Sequence, residues 1–591
     1  MKDFMKQVLA TVTGIVITCI ILTVLTFISL AGMIATSSSQ TSVEENSVMV
    51  LKLGIVEERA VDNPFASLAG ISEEEETAGL DDILSSIKKA AENDDIKGIY
   101  IEGSASTSMM PATAEAIRNE LVKFKESGKF ILSYADTYSR LSYYIASVAD
   151  KMLLNPQGQL EWAGMAGQTL YYKDALDKLG ISMQIFKVGT YKSAVEPYIL
   201  NEMSEANKEQ IQSYLNDIWQ ENLKQVSKSR KISVDSLDSY ANKGLLMADA
   251  KEYVKLKLID KLVYSEEVSN ELKKLMKLDE DENYHKLSLT DMTGVKNAPN
   301  KHKDGEIAVF YATGEIGSSA SSLGMENYID QKEVCKKLRK LRKDDDVKAV
   351  VFRVNSPGGS AYDSEQIWKE IVELKKEKPV VVSMGDYAAS GGYYISCAAN
   401  YIFAEPTTIT GSIGIFGMLP DASELLNNKL GLHFQIVKTN EYSDLGNLSR
   451  PMNEAEKAVI QGNVNRGYEL FTKRCADGRK MKQDDIKKIA EGRVWTGNQA
   501  LKNGLVDELG GLDEAIAKAK ELAKVKDCSI ATYPEKPSIF DSLLSTVSSE
   551  SYIESKMKET FGEFYTSFSN LRNIQKKDYL QVRLPYIIKM N

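Results

Sequence analysis

Ser390 lies in DYAASGGYY, Asp386 to Tyr394, between two alanines and two glycines. A serine stripped of bulk on both sides lets a second backbone come within attack distance, and glycines behind it let a helix start close by. A Ser-Gly-Gly alone is more often just a tightly packed helix start, so a nucleophile needs further parts. The first is a base, because a hydroxyl is a weak nucleophile. Histidine is the usual partner, but only three occur: His285 and His302 in a polar stretch, and His433 in KLGLHFQ, leading into an expected strand. They give a Ser-His-Asp triad little support. A lysine serves if burial disfavours its charged form, and Lys192 sits in VGTYKSAVEP among small and apolar neighbours. Taken singly, it reads as a solvated lysine. The third part is a set of donors for a developing oxyanion. RVNSPGGSAYDSEQI supplies a strand, then Pro357-Gly358-Gly359, then a helix; N–H groups at such a turn can face an anion. Its place one βα unit before Ser390 favours that reading over a plain turn.

The elements that must position these residues come from a duplication with a period near 250 residues. VMVLKLGIVEE from Val48 resembles IAVFYATGEIG from Ile307, and DDIKGIYIEG from Asp94 resembles DDVKAVVFRV from Asp345. YYIASVADKMLLNP from Tyr143 matches YYISCAANYIFAEP from Tyr393; QIFK at Gln184 matches QIVK at Gln435, and LIDKL at Leu258 matches LVDEL at Leu505. Within each copy, short β-branched runs such as Val347 to Val354 alternate with amphipathic segments such as Ser364 to Lys376, which predicts βα units on a largely parallel sheet. The copies carry complementary losses. Arg140, Leu141 and Ser142 stand opposite Ser390, Gly391 and Gly392, while Ser443 stands opposite Lys192. One copy keeps the serine and the other keeps the lysine.

At 591 residues the chain exceeds one ordinary core. Its 43% hydrophobic and 26% charged content is globular, and a net charge of −10 argues against a nucleic-acid partner. Five cysteines, Cys19, Cys335, Cys397, Cys475 and Cys528, form neither a CxxC pair nor an even framework, so no metal site or disulfide scaffold is indicated. Val8 to Ile34 carries no charge; as a helix it would span roughly 40 Å, more than the hydrocarbon core of a bilayer. Lys2 and Lys6 precede it and the next charge is Glu44, so the positive-inside bias puts the short end in the cytoplasm and the bulk of the chain outside. An uncleaved anchor fits this length better than a cleaved signal peptide.

VNSPGGS, DYAASGGYYISCAAN, TGSIGIFG, VGTYKSAVEP and GRVWTGNQALKNGLVDELGG, in that set, resemble the long two-repeat form of the signal peptide peptidase A (protease IV) family, peptidase family S49. The resemblance covers nearly the whole chain. It implies two tandem crotonase/Clp-protease-like α/β repeats behind an N-terminal transmembrane helix. It also implies Ser390 as nucleophile, Lys192 as general base across the repeat boundary, Ser412 orienting the lysine, and backbone N–H groups at Gly358 and Gly359 as the oxyanion hole, with no cofactor and no metal. The expected organisation is an anchor at 1–34, a Ser/Thr linker at 35–46, a first repeat at 47–277, a polar linker at 278–305, a second repeat at 306–535 and a helical tail at 536–591. In the tail Ile553, Met557, Phe561, Phe564, Phe568 and Leu571 recur at helical spacing. Expected substrates are extended hydrophobic peptides such as signal peptide remnants. The expected assembly is a homotetramer, and the expected location a bacterial cytoplasmic membrane with the catalytic part on the outer side. Two alternatives stay open: an acyl-CoA enzyme of crotonase-like fold, and a membrane-tethered scaffold without activity.

Overall fold

The computed structural model describes residues 41–60, 77–296, 304–317, 328–536 and 580–583, with scattered helical positions between 6 and 21. The expected membrane segment, apart from those scattered positions, and the expected tail face from Ile553 to Leu571 lie outside the described residues. Among the described residues no helix is long and apolar enough to cross a membrane.

The first copy runs β1 (Ser47–Lys52), α1 (Leu80–Glu92), β2 (Ile96–Glu102), α2 (Pro111–Lys125), β3 (Phe130–Tyr138), α3 (Arg140–Ala146), β4 (Lys151–Leu160), β5 (Ser182–Lys187), α4 (Glu205–Arg230), β6 (Lys261–Leu262) and β7 (His285–Leu287). Its sheet has the order β6-β4-β3-β2-β1-β7, and every pairing is parallel. Helices cover it by their apolar stripes; α1 buries Leu80, Ile83, Ile87 and Ala90, which share one helical face.

The second copy repeats the plan with β8 (Glu306–Thr313), β9 (Glu315–Ile316), β10 (Tyr328–Ile329), α5 (Gln331–Lys343), β11 (Val347–Ser356), β12 (Gly358–Ser360), α6 (Ala361–Glu377), β13 (Val380–Ala389), α7 (Gly391–Ser396), β14 (Tyr401–Ala404), β15 (Ile409–Gly411), β16 (Phe416–Asp421), α8 (Glu454–Arg479), β17 (Val494–Thr496), β18 (Glu508–Leu509) and β19 (Ser529–Tyr533). The main path is β17-β15-β13-β11-β8-β19, with β14 beside β13 and β18 beside β14. Covered on both faces, such strands read as near-continuous apolar runs. Along β11, Ala349 to Val354 are all buried.

A third sheet joins the copies in the order β10-β9-β12-β20-β16-β5, where β20 is Leu580–Arg583. Here β5 of the first copy pairs antiparallel with β16 of the second, from Ser182 opposite Asp421 to Lys187 opposite Phe416. Buried polar contacts reinforce the junction. Glu58 meets the Arg353 guanidinium at 2.6 and 3.2 Å, Asp386 accepts from Thr113 N and Oγ1 at 2.9 and 2.7 Å, and Glu115 accepts from Thr407 Oγ1 at 2.8 Å.

Two expectations differ from the structure. The stretch 278–305, expected as a linker, places β7 on the first sheet beside β1, as β19 stands beside β8 in the second. QIVK at Gln435, expected as a strand, is irregular, with Phe434 and Val437 exposed. Its counterpart QIFK in β5 has β16 to pair with, whereas residues 433–438 have no neighbouring strand among the described residues. A strand persists only where its backbone groups find a partner.

Candidate active site

Ser390 occupies the single residue between β13 and α7, at φ 55° and ψ −110°. A non-glycine residue holds such a backbone only when its surroundings impose it, a condition that clusters at functional sites. Here the Ser390 N–H donates to Gly411 O at 2.8 Å, and its carbonyl accepts from Tyr394 N at 2.8 Å. Behind it, a Cβ on Gly392 would sit 2.6 Å from the Ser356 carbonyl oxygen, so only glycine lets α7 approach β11 this closely. The two tyrosines anchor α7: Tyr393 donates to Leu505 O at 2.9 Å, while Tyr394 donates to Glu365 Oε2 at 2.6 Å and stacks on Phe471.

Lys192 arrives from the other copy, just beyond β5. Its Nζ lies 2.8 Å from Ser390 Oγ, 3.1 Å from Ser412 Oγ and 3.2 Å from Ser412 O. The side chain is completely buried. Burial, with no carboxylate among the described residues to hold the charge, brings its amine down to about 7. The nucleophile and base candidates named from sequence are thus in contact, and Ser412 touches the amine as expected. Ser412, at φ 49°, is held by its N–H donating to Arg493 O at 2.7 Å.

Gly358 and Gly359 lie in β12, one βα unit upstream. A Cβ on Gly359 would fall 2.0 Å from Ile316 O, so the third sheet closes there only around glycine. The Gly358 N–H donates to Ser356 Oγ at 3.2 Å. Between β12 and β16 runs β20, antiparallel to both, with Gly358 opposite Arg583, Gly359 opposite Val582 and Phe416 opposite Gln581. The space beside the Gly-Gly turn therefore accepts an extended chain through main-chain pairing.

The histidines stand elsewhere. His285 is on the outer strand β7 and pairs with Glu44 at 3.2 Å, His433 is exposed, and His302 is outside the described residues. At the matching point of the first copy Arg140 opens α3, buried, with Nε and Nη1 finding no hydrogen-bond partner among the described residues. Sequence reasoning missed the support of Lys192. Tyr191 N donates to Glu491 O at 3.0 Å, and the Gln210 amide donates to Tyr191 O and Ser193 Oγ at 3.1 and 2.8 Å. The only sequence signal for the former was the start of GRVWTG at Gly492.

Comparisons with known proteins identify the relatives of this chain. Residues 123–279 and 372–526 match the model of peptidase family S49, and residues 323–409 match that of Clp protease. Protease 4 of Salmonella typhi is 39% identical over 476 residues, covering 79% of this chain and 76% of the relative. Protease 4 of Haemophilus influenzae is 36% identical over 490 residues, 78% and 77% of the two chains. The chloroplastic serine protease SPPA of Arabidopsis thaliana is 32% identical over 453 residues, 76% of this chain and 66% of the relative. With a Clp-protease-like α/β fold in tandem copies and a serine beside a buried lysine, the chain belongs to peptidase family S49 and is a serine protease.

Proposed function

We propose that this protease is a membrane-anchored endopeptidase working through a Ser390–Lys192 dyad. The observation that carries the reading is the buried amine 2.8 Å from the serine oxygen. The neutral amine of Lys192 takes the Ser390 proton as Oγ attacks the scissile carbonyl. The N–H groups of Gly358, turning from Ser356 Oγ, and of Gly359 stabilise the oxyanion, and Ser412 holds the amine in line. The ammonium then protonates the leaving amine as the peptide bond breaks. In the second half-reaction Lys192 takes a proton from water as its oxygen attacks the ester carbonyl, and the ammonium returns that proton to Ser390 Oγ as the acyl C–O bond breaks, releasing the acid product and restoring the dyad.

The substrates in this reading are extended apolar peptides, including signal peptide remnants. Supporting it are the edges of β12 and β16, which hold an extended strand through main-chain pairing. Residues 8–34 are the anchor, crossing a bacterial cytoplasmic membrane once with the catalytic part outside. The protein assembles as a homotetramer. Supporting the assembly is an apolar run left bare on the second copy: Leu430, Leu432, Phe434, Val437 and Tyr442 are exposed, where the first copy's equivalent strand is paired. The dyad is tested by hydrolysis of an apolar peptide by wild type, Ser390→Ala and Lys192→Ala. Both variants are expected to fold and to lose several orders of magnitude in kcat, since removing either member disables the unit. Near-normal turnover by Lys192→Ala overturns the dyad.

A further inference from the structure

The second copy supplies more than the serine. Its turn Glu491-Gly492-Arg493 touches the lysine segment and Ser412 at once. Glu491 O accepts from Tyr191 N at 3.0 Å, Arg493 O accepts from Ser412 N at 2.7 Å, and Gly492 N donates to Ile413 O at 2.9 Å. Gly492 has φ 79°, and a Cβ built there would lie 2.6 Å from Lys192 Cβ and 2.7 Å from its Cα and N. The contact is mutual: a Cβ on Gly189 would lie 2.3 Å from Glu491 O, and one on Gly414 would lie 2.9 Å from Gly492 Cα and 3.3 Å from Lys192 Cδ. Three glycines thus remove the bulk that would separate the two copies around one lysine. Arg493 pins the turn from outside. Its guanidinium lies over the rings of Tyr191 and Trp495 at 4.6 and 4.5 Å and pairs with Glu209 at 2.9 Å.

We propose that Gly492 is a positioning residue: the bare backbone of the 491–493 turn sets how deeply Lys192 reaches across the repeat boundary toward Ser390 and Ser412. The inference rests on Lys192 being the base. A side chain at 492 must displace the Lys192 backbone, because the atoms it meets are main chain and Cβ rather than the far end of a flexible group. The amine then withdraws from the serine and loses part of its burial.

The experiment compares Gly492→Ala with Gly504→Ala in the full chain. Gly504 has φ 75° and its nearest atom to an added Cβ is Met481 Sδ at 3.6 Å, so it bears the same backbone strain away from the site. Thermal unfolding, kcat, KM and the pH profile of kcat/KM are measured on an apolar peptide. Gly492→Ala is expected to lower kcat by about a hundredfold with KM within about threefold, the cost of a misplacement near 1 Å. Its acid limb is also expected to move to higher pH, while Gly504→Ala leaves both unchanged. A limb unmoved in Gly492→Ala, or a loss matched by Gly504→Ala, overturns the inference. Should Gly492→Ala fail to fold, Arg493→Ala, at a partly exposed side chain, carries the same readout: the limb is expected to rise, and an unmoved limb overturns the inference. Wild type and Lys192→Ala run beside them keep the base itself in view, since turnover retained without Lys192 removes the ground on which the turn matters.

Discussion

Among the described residues Lys192 reaches Ser390 with no acidic group beside its amine, and burial holds that amine at about 7. It must be neutral to accept the serine proton, so the active form is the deprotonated one. Below the limb the amine is charged and cannot act as base; above it the amine is free. We therefore expect kcat/KM to rise with pH through a limb near 7 and to level off on the alkaline side, as measured by initial rates on one peptide. A profile flat from pH 5 to about 9 contradicts a buried lysine base. Both partners were legible in the sequence because each copy lacks what the other keeps, Arg140 opposite Ser390 and Ser443 opposite Lys192. Gly492 was not legible as part of the site. Its role lies in a contact across the repeat boundary, which no local pattern records.

The strand β20 shows how elements decide what the site can hold. It occupies the gap between β12 and β16, pairing Gly359 with Val582 and Phe416 with Gln581. A substrate taking the same edges has to displace it. A chain ending at residue 536 is therefore expected to show a lower KM for short apolar peptides, with kcat little changed. An unchanged KM would mean that substrate does not use the edges of β12 and β16. The βα alternation and parallel sheets could be read from β-branched runs and amphipathic segments, since these periods follow from local geometry. The third sheet could not. Its strands β5, β12, β16 and β20 come from distant parts of the chain, and QIVK at Gln435 shows that the pattern for a strand is insufficient without a neighbour to pair with.

At the scale of the whole molecule, the site exists only while the two copies stay docked, because Ser390 and Lys192, which meet there, come from different copies. Arg353 is central to that docking. Its guanidinium binds Glu58 of the other copy, Ser383 Oγ and Met384 O, all out of water. Arg353→Ala would leave the Glu58 carboxylate buried without its cation, so we expect a loss of about 3–5 kcal/mol in denaturant unfolding. Replacing Glu58 and Arg353 together by apolar residues should cost less than Arg353→Ala alone. The duplication announced two docked copies in advance, but the polar residues between them are unremarkable in sequence and acquire their roles only in the folded chain.

The most direct test of Lys192 as the activator of Ser390 is the rate at which a fluorophosphonate labels Ser390, followed by peptide mass spectrometry across pH in wild type and Lys192→Ala. This probe needs the serine and its activation but no peptide substrate. Wild type is expected to be labelled at Ser390 with a rate that rises through pH 7, and Lys192→Ala at least about a hundredfold more slowly and without that limb. Labelling of Ser390 in Lys192→Ala at the wild-type rate would contradict the dyad.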